Sequence, residues 1–412
     1  MNLAIDTDRL NGELKTLGAI SSEPAPVVTR VVFTDADLRA REFMRGLCRE
    51  AGLQIREDAV GNMFARWTGA EPNLPAVATG SHIDAIPNAG RYDGTVGVIG
   101  GLEAIRALQR SGYRPPRSIE LLVFTSEEPT RFGIGCLGSR LLGGLLDACA
   151  GKSLQDKDGG SLDEVRNKAG FTGSLATVRL PHGYYSAFVE LHIEQGPVLQ
   201  SHDTAIGVVT AIAAPASLRI VIEGDGGHAG TVLMRDRRDA FLAAAEIALA
   251  VESAARSTSA ADTVATVGVC NVFPGAINSI PSRVQIEVDV RDIEQARRDD
   301  VLRQIETCAT EVAARRKVAI DLQTLNADPP AQCDPGIVNV LVEACQTHAL
   351  SFERMISRAY HDSLFMSSIV PTAMLFIPCR GGVSHRPDEY ASPEAIAQGV
   401  LVLAETLAEL SK

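Results

Sequence analysis

Four segments of the chain share one design, an apolar run that ends in histidine, aspartate or glutamate. They read TGSHIDAIPNAGRYDG, VFTSEEPTRFG, AFVELHIEQGP and MLFIPCRGGVSHRPDEY. Their chemical groups, in chain order, are His82, Asp84 and Asp93, then Glu127 and Glu128, then Glu190, His192 and Glu194, and finally His385. Imidazoles and carboxylates together suit a first-row transition metal, and two carboxylate-rich halves suit a pair of ions.

The spacing in the first two segments suggests different roles for neighbouring residues. Residues i and i+2 of an extended chain face the same way, so Asp84 can reach the ring of His82 and orient it. Of the adjacent Glu127 and Glu128, one can bind metal while the other, beside a polarised water, acts as general base. Each pattern alone is typical of a solvated loop, but their joint occurrence at the ends of apolar runs favours a site.

The elements that would position these residues alternate between strands and helices. We expect strands at 54–56, 60–67, 118–125 and 372–378, and helices at 36–53, 94–109, 336–348 and 393–410. This order is typical of an α/β fold with a mostly parallel sheet flanked by helices. Ligands of such sheets collect in the loops beyond the carboxyl ends of the strands.

The middle of the chain has a different pattern. Alternation of polar and apolar residues predicts half-solvated strands, and Ala-rich or one-sided charged stretches predict helices. The expected strands are 217–223, 263–272, 282–289 and 318–322, and the expected helices are 239–253 and 293–316. We therefore predict a catalytic domain in two parts, 1–212 and 325–412, interrupted by an inserted α+β domain at 213–324.

Composition and charge exclude several partners. The 412 residues include 39 Lys plus Arg and 51 Asp plus Glu, a net charge of −12, with no basic run. Neither nucleic acid nor an anionic membrane is therefore expected to bind, and no apolar run approaches the ~20 residues of a membrane span. The eight cysteines form no CxxC motif and no export signal is visible. We expect reduced thiols and a cytoplasmic protein, with an Ala- and Arg-rich composition typical of bacteria.

The combined motifs resemble a known family of enzymes. The segments GSHIDAIPNAGRYDG, FTSEEPTRFG, ELHIEQGPVL, GGHAG, PGAINSIPS and SHRPDEY are similar to the amidase/hydantoinase/carbamoylase branch of the M20 metallopeptidase superfamily. The resemblance runs from about residue 35 to the C-terminus. It implies a zinc-peptidase-like catalytic domain with an inserted domain that acts as a lid and mediates dimerisation.

The resemblance also implies a binuclear metal site. Its ligands would be His82 and His192 for one ion, Glu128 and His385 for the other, and Asp93 between the two. Asp84 would orient His82, and Glu127 would be the general base. Two divalent ions per subunit are implied, with Mn²⁺ preferred and Zn²⁺, Ni²⁺ or Co²⁺ found in relatives.

Further residues would contact the substrate if the resemblance holds. In a homodimer, His228 would reach the active site of the partner subunit and stabilise the oxyanion there. Asn278 and Arg291 would bind a substrate carboxylate, a task that suits the planar guanidinium of arginine. Gln195, Tyr360 and His361 would line the pocket.

Within the branch, EEPTRFGIGCLGSRLL, VVTAIAAPASL and ISRAYHDSLFM are most similar to ureidoglycolate amidohydrolases. The hydroxyl of Tyr360 fits a polar substrate, and other members usually carry a small residue there. The implied reaction converts (S)-ureidoglycolate to glyoxylate, ammonia and CO₂ in the catabolism of purine nitrogen. Alternatives are hydrolysis of N-carbamoyl-L-amino acids or of allantoate and, more distantly, an M20 aminopeptidase or deacylase or a non-catalytic scaffold.

Overall fold

The computed structural model describes residues 3–412. Its helices are α1 (Thr7–Ala19), α2 (Asp35–Glu50), α3 (Thr95–Arg110), α4 (Leu137–Gly143), α5 (Ala148–Ser153), α6 (Leu162–Lys168), α7 (Val198–Ser201), α8 (Ala240–Ser257), α9 (Gln295–Arg316), α10 (Pro335–Thr347), α11 (Asp362–Met366) and α12 (Pro393–Leu410). Within the described range, no helix is both long enough and apolar enough to cross a bilayer.

Strands alternate with these helices along the chain. They are β1 (Val28–Arg30), β2 (Gln54–Glu57), β3 (Met63–Trp67), β4 (Ala76–His82), β5 (Ala85–Ala89), β6 (Ile119–Phe124), β7 (Tyr185–Ile193), β8 (Ile206–Ile212), β9 (Ala214–Glu223), β10 (Gly227–His228), β11 (Val264–Phe273), β12 (Ser279–Ile280), β13 (Arg283–Asp292), β14 (Ala319–Ala327), β15 (Ala331–Gln332), β16 (Phe352–Ser357) and β17 (Thr372–Ile377).

One sheet of nine strands contains the ends of the predicted site segments. Its order is β15-β8-β17-β7-β4-β6-β3-β2, with β16 paired to β8. The central strands β17, β7, β4 and β6 pair in parallel, whereas β3 and β8 run antiparallel to their neighbours. The predicted α/β class with a mostly parallel sheet is confirmed.

The central strands are mostly apolar and are buried along nearly their whole length because helices cover the sheet. Every residue of β4, β6 and β17 is buried, as is nearly all of β7. Helices α3 and α12 pack on the sheet and on each other. Polar side chains inside these strands, such as Glu190 in β7, are buried, and the predicted site residues stand where the strands end and the loops begin.

Helix α3 approaches the sheet so closely that a glycine is required at the contact. A Cβ atom built on Gly97 would overlap the backbone carbonyl oxygen of Leu191 and lie 2.7 Å from Cβ of Ser81. These contacts join α3 to β7 and β4. The glycine therefore sets the distance between the helix and the two strands that carry His192 and His82.

The chain forms two compact units. One contains the residues up to Thr210 together with Cys333–Ser357 and His361–Lys412, and the other contains Ala211–Gln332 and Arg358–Tyr360. The second unit is a four-stranded antiparallel sheet of order β11-β13-β9-β14 with α8 and α9 packed on one face. The lid and dimerisation roles expected for the insertion at 213–324 stay predictions.

Most predicted elements form, with small shifts at their ends. The strand expected at 60–67 begins only at Met63, because the carboxylate of Asp58 accepts hydrogen bonds from the backbone of Val60 and Asn62 and closes a turn. The short helices between 137 and 168 were not predicted. Each is too short for apolar periodicity to show it.

Replacement of Gly97 by alanine tests the close approach of α3 to the sheet. We expect Gly97→Ala to lower the free energy of unfolding by about 1–3 kcal/mol, the usual cost of overpacking a core. The control is Gly46→Ala in α2, where a Cβ atom meets nothing within 4 Å. That change should be neutral or stabilising by up to about 1 kcal/mol. Urea unfolding measures both, and equal effects at the two positions would contradict the packing argument.

Candidate metal centre and active site

The central strands bring the four predicted segments to one edge of the sheet. His82 is the last residue of β4, and His192 lies one residue before the end of β7. Glu127 and Glu128 follow β6 by three and four residues, and the loop after β17 carries His385. Because β4, β6, β7 and β17 are parallel, their carboxyl ends meet at the same edge.

Asp93, in the loop before α3, lies between two groups of possible ligands. Its Oδ1 is 3.5 Å from Nε2 of His82 and 3.3 Å from Nε2 of His192. Its Oδ2 is 3.4 Å from Nε2 of His385, which is itself 3.4 Å from Oε1 of Glu128. Asp93 thus belongs to two trios of possible ligands, one with His82 and His192 and the other with Glu128 and His385. The ligand atoms of each trio lie close enough together to hold a cation.

The residues present fit a pair of divalent cations. Nε2 of His82 is buried and has no hydrogen-bond partner among residues 3–412, although such an atom is costly to leave unpaired. A Cβ atom on Gly94 would lie 2.5 Å from Cδ2 of His82, so the glycine keeps open the space in front of that ring. The nitrogen and oxygen donors are those that bind first-row metals.

Electrostatics in the cluster also favour added positive charge. Burial and the nearby Asp93 carboxylate raise the pKa of Glu128 to about 7. A hydrogen bond to Asp93 raises the pKa of His385 to about 9. Cations among these side chains would relieve the repulsion between the buried carboxylates.

Asp84 supports the cluster, but its contacts differ from the predicted carboxylate–imidazole pair. Nδ1 of His82 is 3.0 Å from the backbone carbonyl oxygen of Asp84 and 3.7 Å from its carboxylate. The carboxylate instead accepts the backbone N–H groups of Glu127 and Glu128, at 3.2 and 3.1 Å. Asp84 therefore connects the His82 segment to both glutamates.

Glu127 and Glu128 are oriented differently although they are adjacent. Oε2 of Glu127 is 3.7 Å from Nε2 of His82, and the thiol of Cys136 donates to its Oε1 over 3.4 Å. Burial raises the pKa of Glu127 well above its ordinary value. A carboxylate with a raised pKa beside the cluster has the character of a proton acceptor and donor.

Two of the predicted pocket residues lie against the cluster. Nε2 of Gln195 donates to Oδ2 of Asp93 at 2.6 Å, so this amide holds the central carboxylate. The ring of His361 is buried, and its centroid lies 4.4 Å from that of His192. Within the described part of the chain, Nε2 of His361 has no hydrogen-bond partner. Burial lowers the pKa of this ring well below 6.5.

The second unit holds the other predicted residues in two separate places. His228 pairs with Ser279, and the backbone N–H of Ala229 donates to the carbonyl oxygen of Asn278 at 2.9 Å. His228 and Asn278 are therefore neighbours at the small two-stranded sheet of β10 and β12.

Arg291 lies near the end of β13 that is farther from this two-stranded sheet. It bonds Asp289 at 2.8 Å and the carbonyl oxygen of Arg358 at 3.1 Å, in the segment that carries Tyr360. At ~3.4 Å per residue, the strand from Arg283 to Arg291 spans roughly 27 Å. The prediction that Asn278 and Arg291 bind one carboxylate therefore requires them to come from different chains.

Two buried glutamates near the cluster, Glu190 and Glu389, have no role predicted from the sequence. Glu190 accepts hydrogen bonds from Ser81 and Ser363, at 2.8 and 2.6 Å, below the site. Glu389 contacts the loop of Asp93. In the sequence, Glu190 could be noticed only as a charged residue within an apolar strand. Glu389 could be noticed only because it lies in the motif SHRPDEY.

Comparisons with known proteins show the family to which the chain belongs. Residues 78–409 match the model of Peptidase family M20/M25/M40. The chain is 53% identical to a ureidoglycolate hydrolase of Arabidopsis thaliana, over 100% of this chain and 88% of the relative. It is 37% identical to an N-carbamoyl-L-amino acid amidohydrolase of Geobacillus stearothermophilus, over 99% of each chain.

A solved structure shares the whole fold. The crystal structure of AtUAH in complex with (S)-hydroxyglycine is 52% identical, covers 99% of this chain and 98% of its own, and superposes with a TM-score of 0.88. Because full-length relatives occur in a plant as well as in bacteria, similarity does not support the bacterial origin expected from composition. The chain belongs to Peptidase family M20/M25/M40, a family of metal-dependent hydrolases.

Proposed function

We propose that this protein is a binuclear amidohydrolase that cleaves the ureido C–N bond of (S)-ureidoglycolate. The observation that carries the proposal is the Asp93 carboxylate, which faces a histidine pair on one side and Glu128 with His385 on the other. The choice of substrate rests on the 53% identity to a ureidoglycolate hydrolase over the full chain. The reaction would serve purine nitrogen catabolism.

The proposed cofactor is a pair of divalent ions, Mn²⁺ first, with Zn²⁺, Ni²⁺ and Co²⁺ as alternatives. His82 and His192 would hold one ion, Glu128 and His385 the other, and Asp93 both. Ions at these positions would supply Lewis-acid polarisation of the ureido carbonyl and of the attacking water.

Glu127 would move the proton in the reaction. Its carboxylate lies beside His82 without belonging to either ligand trio, so it is free to accept the proton of the attacking water. It would then pass that proton to the leaving nitrogen. Hydrolysis yields ammonia, CO₂ and hydroxyglycine, which collapses to glyoxylate and a second ammonia. His361 and Tyr360 would line the pocket, and Gln195 would steady Asp93.

A homodimer would complete the site. Arg291 would bind the substrate carboxylate, and His228 and Asn278 would serve the partner subunit's site, with His228 stabilising the oxyanion. The length of β13, which separates Arg291 from His228 and Asn278, supports the assignment of these residues to two different sites. Strand β11 is an edge of its sheet and exposes Val264, Val272 and Phe273, by 43, 36 and 63%. An exposed apolar edge strand is suited to pairing with a second copy.

Metal loading tests the proposed centre directly. The metal-stripped protein should take up two Mn²⁺ per chain in calorimetric titration. Gly94→Ala should lose this binding because the new methyl group would occupy the space in front of His82. Gly112→Ala, at the other end of α3, is the control, since Gly112 has a similar φ (+76° against +65°) but no atom within 4 Å of the new Cβ. Retention of two ions by Gly94→Ala would contradict the proposed position of the metals.

Turnover of Glu127→Gln tests the general base. Ammonia release with Mn²⁺ should fall about 10²–10⁴-fold while two ions stay bound, and Glu71→Gln, at an exposed glutamate, should match the wild type. The same assay on ureidoglycolate, allantoate and an N-carbamoyl-L-amino acid compares the proposed substrate with its alternatives. Near-normal turnover of Glu127→Gln would refute its role, and absence of turnover on all three substrates would favour the peptidase or scaffold alternatives.

Complementation between inactive variants tests the shared site. The His228→Ala variant should lose activity although this variant still binds both metal ions. A heterodimer of His228→Ala with Glu127→Gln should regain up to half of wild-type activity, because one of its two sites then has both groups. Purified heterodimers that stay inactive would exclude catalysis by His228 across the interface.

A further inference from the structure

We infer that Glu389 is a positioning residue that ties the loop of Asp93 to the loop of His385 and thereby maintains the second of the two ion sites. The inference rests on the proposed binuclear centre. It concerns a residue that belongs to neither ligand trio.

Glu389 holds the backbone that presents the central carboxylate. Its Oε1 accepts the N–H of Tyr92 at 2.7 Å and the N–H of Asp93 at 3.1 Å. Two amides on one oxygen fix the direction in which the chain enters α3. The position of the Asp93 side chain therefore depends on Glu389.

The other oxygen of Glu389 connects to the residue before His385. Its Oε2 accepts the hydroxyl of Ser384 at 3.0 Å, and the same hydroxyl lies 2.6 Å from Oδ2 of Asp93. His385 has a φ of +58°, a conformation that residues other than glycine adopt rarely. Its neighbours must hold such a residue in place, and Ser384 with Glu389 provides that support.

Glu389 is buried, and the backbone of Gly90 packs directly against its side chain. The residue is 4% exposed, and burial of a charge is costly unless hydrogen bonds satisfy it. A Cβ atom on Gly90 would lie 2.6 Å from Oε1 of Glu389. Gly90 is three residues before Asp93, so the loop of the central ligand is built around this side chain.

The two ion sites differ in how much they depend on this connection. The side chains of His82 and His192 are 1% and 0% exposed and stand on central strands, which fix them independently of Glu389. The side chain of His385 is 48% exposed and stands on a loop. Loss of Glu389 should therefore weaken the site of Glu128 and His385 more than the site of His82 and His192.

Calorimetric titration of metal-stripped protein with Mn²⁺ tests this asymmetry. We expect Glu389→Ala to bind one ion with nearly wild-type affinity and the second about 10–100-fold more weakly, the usual effect of losing a residue that supports a ligand. Glu389→Gln should be intermediate because its amide oxygen can still accept the two N–H groups. Excess Mn²⁺ should restore turnover in both. Glu394→Ala, at the exposed start of α12, is the control.

Gly90→Ala provides a second test that leaves Glu389 in the sequence. The new methyl group should displace the carboxylate and weaken the same ion, while circular dichroism of the metal-free protein checks the fold. The inference is overturned if the folded Gly90→Ala and Glu389→Ala proteins bind two ions as the wild type does. Equal weakening of both ions would also overturn it. Failure of the wild type to bind any ion would instead refute the proposed function.

Discussion

The carboxylate of Asp93 is the group whose contacts hold the candidate site together. Burial by itself would raise the pKa of this group, but the nearby imidazoles of His192, His385 and His82 hold its pKa well below the usual range. An anion at the centre of three imidazoles defines the geometry of both trios. Gln195, Ser384 and Glu389 hold the carboxylate and its backbone in place through hydrogen bonds, so the proposed ligands depend on one set of contacts.

The parallel strands make this convergence possible. β4, β6, β7 and β17 end at one edge, and the side chains of the candidate site stand at or beyond these ends. Gly97 permits α3 to pack closely on β4 and β7, and Gly94 leaves room in front of His82. Core packing and site geometry thus rely on the same contacts between helix and sheet.

The second unit carries three of the residues that are proposed to contact the substrate, His228, Asn278 and Arg291. Arg291 lies near one end of β13, and the two-stranded sheet beside His228 and Asn278 lies toward the other end. No side chain spans a strand of that length. An arrangement in which each chain supplies one end to each of two sites accounts for all three residues in the proposed dimer.

Much of the fold and of the candidate site follows from local pattern in the sequence. Apolar runs that end in His82, Glu128, His192 and His385 predicted the strands, and helix periodicity predicted α12 at its observed limits, Pro393–Leu410. These features depend on neighbours in the chain, because burial of a strand or of a helix face dictates residue type at fixed intervals.

Contacts between distant residues were decided only by the tertiary structure. Glu389 bonds the backbone of Asp93 across nearly 300 residues of sequence, and the carboxylate of Asp84 bonds two amides instead of the ring of His82. The distance between Asn278 and Arg291 likewise follows from strand pairing. Sequence determined which chemical groups were available at the strand ends, but their partners were set by the packing of loops that no local periodicity describes.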